Sequence, residues 1–197
     1  MKAIVIYYSW GGNTKSIAEK VARELNCGAA RIDTVVPYEG DYNSIVDQGA
    51  DEVKRGYEPE IKPLGIDLSD YDTVILGTPV WWYTFAPAVK TFLSHNDLTG
   101  KKIYTFATNG GWIGHTLKDV KSACPGADVK PGIDIRFDDH TQRTSDKEVE
   151  KWIKNIKYFS GYENSEPKRE RGSQEQPQRF LTAAVFVILF IGGVEID

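Results

Sequence analysis

At 197 residues with 41% hydrophobic content, the chain is long enough for one α/β domain with a sizeable core and too short for two such domains plus a linker. Its 24 Lys and Arg against 28 Asp and Glu leave a formal charge of -4, with no basic footprint for nucleic acid. The two cysteines, Cys27 and Cys124, lie near the ends of predicted helices without CxxC or metal-ligand spacing, and read as inert packing residues of a reducing, cytoplasmic compartment.

The first stretch, MKAIVIYYSWGGNTKSIAEKV, reads as strand, tight loop, helix. Residues 3–8 form an apolar run rich in β-branched and aromatic side chains, and Ile17, Ala18, Val21, Ala22 and Leu25 recur at helical spacing. No charged region followed by an apolar one opens the chain, so no N-terminal secretory signal is expected. Between strand and helix stand Ser9, Trp10, Gly11, Gly12, Asn13 and Thr14. Hydroxyls and a glycine backbone at the positive end of a helix suit an anion, most plainly a phosphate. An ordinary βα turn uses the same residue types. Neither GxGxxG nor a Walker A loop is present.

Residues 29–35 read as a short edge strand ended by Pro37, and 41–56 as a polar helix carrying Ile45, Ala50 and Val53. Residues 58–68 are irregular. The run Thr73-Val74-Ile75-Leu76-Gly77 has the continuous apolar character of a central parallel strand. A loop of Thr78, Pro79, Val80, Trp81, Trp82 and Tyr83 follows, and Pro87 opens a helix bearing Val89, Phe92 and Leu93. Three successive aromatics cannot all face one core from a loop, so each is either a packing anchor or part of a ligand wall.

Residues 101–107 give the next strand, followed by a loop with Thr108, Asn109, Gly110, Gly111 and Gly114, whose glycines allow close backbone approach to a flat ring edge. His115 begins the following helix and reads either as a solvent-facing histidine or as a proton donor beside a redox group. Residues 127–137 supply a fifth strand interrupted at Pro131-Gly132. Asp138, Asp139 and His140 lack a second ligand cluster, so no metal site is expected. Ser145 and Glu148 make a capping box for a last helix with Val149, Trp152, Ile153 and Ile156 inward.

The alternation of strands and helices predicts a three-layer α/β/α fold, a doubly wound five-stranded parallel sheet in the order 2-1-3-4-5. Residues 161–179 turn abruptly to Glu, Lys, Arg, Ser, Gln and Pro and are expected to be disordered. Residues 180–194 are then free of charge, yet as a helix they would span only about 22 Å of the roughly 30 Å hydrocarbon core. This apolar tail, 180–197, reads as a marginal membrane anchor, a segment docked on the domain, or an extension unrelated to the fold. Membrane contact is not the favoured reading.

Val5, Ile6, Tyr7, Ser9, Gly12, Thr14, Ala18 and Val21 together resemble the signature of the flavodoxin family at the FMN phosphate. The run from Pro79 to Tyr83, followed by Ala86-Pro87-Ala88-Val89-Lys90-Thr91-Phe92-Leu93, resembles the flavin loop and helix of its bacterial short-chain members. The resemblance covers residues 1–160 and implies a flavodoxin-like FMN-binding domain. It implies FMN held at Ser9, Trp10, Gly11, Gly12, Asn13 and Thr14, at Pro79, Val80, Trp81, Trp82 and Tyr83, and at Thr108, Asn109, Gly110, Gly111 and Gly114. No catalytic residue is required of an electron carrier, whose partners would be redox proteins. The mild charge departs from the acidic docking face the resemblance implies. It leaves room for an NAD(P)H-dependent quinone or nitro reductase acting on small quinone-like acceptors, with Tyr83 or His115 shaping the acceptor pocket. A flavin-free binding module on the same fold is the third reading.

Overall fold

The structure, a computed structural model, describes residues 2–159. Strand β1 (Ala3–Tyr7) is buried along its whole length because it lies between two neighbours. It pairs in parallel with β2 (Gly28–Arg31) on one side and β3 (Thr73–Trp81) on the other, with Ile4 opposite Gly28 and Val74. β3 pairs with β5 (Lys102–Asn109), Thr73 opposite Lys102. β5 pairs first with β6 (Asp128–Val129) and then with β7 (Ile133–Asp138). Counted as five parallel levels, the sheet has the expected order.

Three short strands depart from the five-stranded expectation. β4 (Thr84–Phe85) folds back on the end of β3, β6 is the detached front of the predicted fifth strand, and β8 (Thr141–Gln142) folds back on β7. The break between β6 and β7 has a local cause. Pro131 offers no N–H to a ladder, and at Gly132 a Cβ would lie 2.6 Å from the Thr105 carbonyl. β2 is shorter than expected, since only Thr34 beyond it forms a bridge, to Ile61.

Alternation along the central strands divides the core in two. Val5, Tyr7, Ile75 and Phe106 meet α1 (Asn13–Leu25) and α5 (Asp146–Phe159) through Ile17, Val21, Leu25, Trp152, Ile153 and Ile156. Ile4, Ile6, Val74 and Leu76 face the other way, onto α3 (Pro87–His95) and α4 (Thr116–Ser122) through Val89, Phe92 and Val120. Gly77 leaves room for the Phe106 ring, whose Cζ would lie 2.2 Å from an added Cβ. The Ser145–Glu148 capping box forms as expected, with the Glu148 backbone N–H donating to Ser145 Oγ at 3.3 Å. The remaining helix, α2 (Tyr42–Arg55), meets α3 and the far end of β3.

Burial pushes both the Cys27 and the Cys124 thiol up to about 11, which fits packing rather than redox chemistry. Among the described residues no helix is long and apolar enough to cross a membrane. The expected linker at 161–179 and apolar tail at 180–197 lie outside the described residues.

Candidate functional site

The carboxyl ends of β1, β3 and β5 open on one edge of the sheet, beside the reversal of winding where open α/β sheets bind ligands. After β1 the chain turns into α1 at Gly12, whose φ of +93° would strain any side chain. Ser9 is only 2% exposed, and its Oγ accepts the N–H groups of Gly12 and Lys15, both at 3.2 Å. The N–H groups of Asn13 and Thr14 find no acceptor among the described residues. No acidic side chain stands in this first turn. The Arg31 guanidinium donates to the Ser9 carbonyl at 3.0 Å and pairs through Nε with Asp33 Oδ1 at 2.9 Å, bracing the loop from a neutralised pair. Open donors and the helix dipole together make an anion cradle.

Side chains anchor this loop from beneath. Thr14 Oγ1 lies 2.8 Å from Thr108 Oγ1 in a buried pair that ties α1 to β5. Asn13 Nδ2 donates to the Asp139 carbonyl at 2.8 Å, and Asn13 Oδ1 lies 3.1 Å from His140 Nδ1. The Asp138–His140 turn therefore serves as a clamp on the loop, and Asp138 itself pairs with Arg143.

Next to the cradle is a cleft of about 560 Å³. Of the residues expected to hold FMN, Trp10, Val80, Trp81, Trp82, Tyr83, Asn109, Gly110 and Gly111 line it. So do Tyr42, Ile45, Val46 and Gly49 of α2, together with Trp112, none of which was expected. Two signals for these were present in the sequence. A lone glycine inside a helix usually has a packing reason, and at Gly49 an added Cβ would lie 3.1 Å from the Trp81 ring. A tryptophan inside a glycine-rich loop has nothing nearby to bury it, and Trp112 is 73% exposed.

Some expected residues support the site without lining the cleft. Ser9, Gly11, Gly12, Asn13 and Thr14 belong to the cradle that continues from Trp10. Thr108 is buried against Thr14, and Pro79 is a strand residue opposite Thr108. Gly114, with φ +60°, lets the loop pass against Tyr83, whose carbonyl would lie 2.4 Å from an added Cβ.

The aromatic run divides between two roles. Trp81 is half-buried and packs edge-on against Tyr38 and Tyr8, with ring centroids 4.9 and 6.0 Å away. Trp82 and Tyr83 are the two turn residues between β3 and β4, where Trp81 pairs with Thr84. Both have positive φ, 47° and 67°, in a turn that ordinarily takes Asn-Gly. Trp82 Nε1 donates to the Val46 carbonyl at 2.9 Å, and the Tyr83 carbonyl accepts from the His115 N–H at 2.8 Å. These two bonds hold exposed rings over the cleft mouth, so the predicted loop is a strained hairpin.

Behind Trp81, the Tyr38 hydroxyl donates to Glu52 Oε2 at 2.5 Å and Gln48 Nε2 donates to Oε1 at 2.8 Å. Both oxygens of this buried carboxylate are thus served. Desolvation, followed by the hydrogen bond to Glu52, raises the Tyr38 phenol well above its ordinary range. Desolvation does the same to Tyr8. Neither phenol is an acid at neutral pH, and both act as rigid walls.

Fold and site together define a doubly wound α/β protein in which open backbone donors at the β1–α1 loop adjoin an aromatic cleft. The chain belongs to the flavodoxin family, whose profile matches residues 2–156. It is similar to a candidate flavoprotein from Bacteroides eggerthii, at 29% identity and a TM-score of 0.68 over 79% of this chain and 97% of that one. It is also similar to a flavoprotein of Lactobacillus acidophilus solved in complex with FMN, at 27% identity and a TM-score of 0.62 over 77% and 97%. The FMN-free form of the L. acidophilus flavoprotein, solved by NMR, gives 25% identity and a TM-score of 0.56 over 77% and 96%. No curated protein matches the chain.

Proposed function

We propose that this protein is an FMN-binding electron-transfer flavoprotein that shuttles electrons between redox partners. The observation that carries this reading is the pairing of an anion cradle at Ser9–Thr14 with an aromatic cleft lined by Trp10 of the same loop. The residues fit the cofactor in kind. Asn13 and Thr14 offer open N–H donors to a phosphate, and Gly11 and Gly110 each have open space where a side chain would stand. Trp10, Trp82 and Trp112 are exposed aromatic side chains on the cleft, of the kind that suits a planar, amphipathic isoalloxazine. FMN, once bound, supplies the one- and two-electron chemistry. The protein's part is to hold the phosphate, exclude water from the ring and place the backbone of Asn109, Gly110 and Gly111 at its edge.

The cradle makes a discriminating test. Titration of the purified protein with FMN and with riboflavin, followed by visible absorbance and tryptophan fluorescence, is expected to show FMN binding at least a hundredfold tighter. Equal affinities would overturn the cradle's role, and binding of neither would overturn the function.

A second reading, an NAD(P)H-dependent quinone or nitro reductase, draws on the mild charge of -4 and on an open hollow beside the cleft. Consumption of NAD(P)H by the purified protein with a quinone present, and no other protein, would favour the enzyme over the carrier.

A further inference from the structure

The loop after β5 has a charged neighbour on the next strand. β7 lies beside β5 with Arg136 opposite Asn109, and Asn109, Gly110 and Gly111 line the cleft. The Arg136 side chain reaches this loop: a Cβ added at Gly111 would lie 3.3 Å from one of its guanidinium nitrogens. Its charge is not paired, since no carboxylate among the described residues lies within 4.0 Å of the guanidinium. The two acids on its own strand are engaged elsewhere. Asp134 Oδ1 accepts from Asn109 Nδ2 at 2.5 Å, and Asp138 pairs with Arg143. Asn109 Oδ1 in turn accepts the Gly111 N–H at 2.8 Å, which fixes the loop against β7. The N–H groups of Gly110 and Trp112 have no acceptor among the described residues. An unpaired cation and open backbone donors on one fixed loop are an arrangement that stabilises negative charge as it develops.

Resting on the flavoprotein reading, we propose that Arg136 sets the cofactor's potential by favouring its reduced, negatively charged form. FMN that takes up two electrons from a redox partner and one proton from water carries one more negative charge on its ring than the oxidised form. A guanidinium at the ring's edge attracts that added charge and gains nothing from the oxidised ring, which is neutral. The discrimination between the two forms is therefore electrostatic, and by linkage the ratio of their affinities appears as a rise in potential. Arg136 is exposed, so salt screens its effect. The mild overall charge of -4 is consistent with a site that draws on a cation instead of surrounding its ligand with acids.

Two equilibrium measurements on the purified full chain test it: fluorescence titration with oxidised FMN, and the potential of the bound FMN read against reference dyes without oxygen. Arg136→Gln is expected to leave the affinity for oxidised FMN within about twofold and to weaken that for reduced FMN about tenfold, which lowers the two-electron potential by about 30 mV. Arg136→Lys keeps the charge and is expected to restore at least half of that shift. Added salt should shrink the difference between the parent and Arg136→Gln. Lys154→Gln removes the same charge from an exposed position on α5 and is expected to leave the potential in place. If Arg136→Gln weakens both forms equally, Arg136 only buttresses the Gly111 loop and the proposal is overturned. A potential that Arg136→Gln leaves unmoved, or that Lys154→Gln lowers as much, overturns it too. These results leave the flavoprotein reading standing, whereas a chain that takes up no FMN overturns that reading and this inference with it.

Discussion

Trp82 and Tyr83 hold left-handed backbone that costs a non-glycine residue about 1–2 kcal/mol. Strain of this kind persists where the surroundings over-determine it, and here it displays two rings at a binding cleft. Tyr83→Gly separates the two sides of this arrangement. The substitution releases the backbone strain and loses the edge contact to Trp112, worth about 0.5–1.5 kcal/mol. The His115 N–H bond to the Tyr83 carbonyl is a backbone bond and survives. Global stability by urea denaturation is therefore expected to change by less than about 1 kcal/mol, while FMN affinity falls at least tenfold. A large loss of stability with unchanged affinity would make Tyr83 a structural residue.

Among the elements, α2 shows how tertiary contacts turn a nondescript segment into a wall of the site. Its ends were legible: Asp41 caps it, accepting from the Ser44 N–H at 2.8 Å, and Gly56 closes it at φ +64°. Its orientation was not, because Ile45, Val46 and Gly49 give a face without saying what the face meets. The network behind it predicts a strong effect. Tyr38→Phe leaves Glu52 Oε2 without its hydroxyl donor in a buried setting, at a cost of about 1–3 kcal/mol or more. Urea midpoints should fall accordingly, and the Tyr38→Phe, Glu52→Gln pair should recover part of the loss, since a neutral amide tolerates the missing donor better. No fall in midpoint would mean water serves that oxygen as well. β3 makes the same point about legibility from the other direction. Val74 to Gly77 declared a buried strand, but the strand runs on through Pro79, where sequence rules favour a break. Thr78 makes this possible, its Oγ1 donating to the Pro79 carbonyl at 2.8 Å and accepting from the Ala86 N–H at 3.1 Å. A turn built on Trp82-Tyr83 carries none of the Asn or Gly that announces a hairpin. The β1–α1 loop stood out because its glycines and hydroxyls are local signals, whereas Gly49 and Trp112 gave only hints whose meaning depends on what the fold brings against them.

Across the whole molecule, the carboxylates set an acid limit to stability. Backbone and hydroxyl hydrogen bonds from Ser44 hold Asp41 below its ordinary range, and the Ser94 hydroxyl, ahead of Lys90, does so for Glu58. Ser69 lowers Asp67, Thr99 lowers Asp97, Lys20 lowers Asp146 and Ser145 lowers Glu148. A group lowered on folding contributes stability that is present above its unfolded value and lost as pH falls through its folded one. The buried thiols and the Lys2 and Lys130 ammoniums are raised, so their contributions are present at neutral pH and lost on the alkaline side. Urea midpoints are therefore expected to be flat near neutrality, to fall below about pH 4, where ordinary carboxylates titrate, and to fall again as the thiol value of about 11 is approached. Asp41 isolates one contribution to the acid limb, because Asn caps a helix about as well but carries no charge. Asp41→Asn should give a lower midpoint than the parent at pH 7, and the gap should narrow as pH falls from the ordinary carboxylate range through the lowered folded value of Asp41. If the gap stays the same across that fall, the Asp41 charge plays no part, and the acid limb belongs to the other five carboxylates.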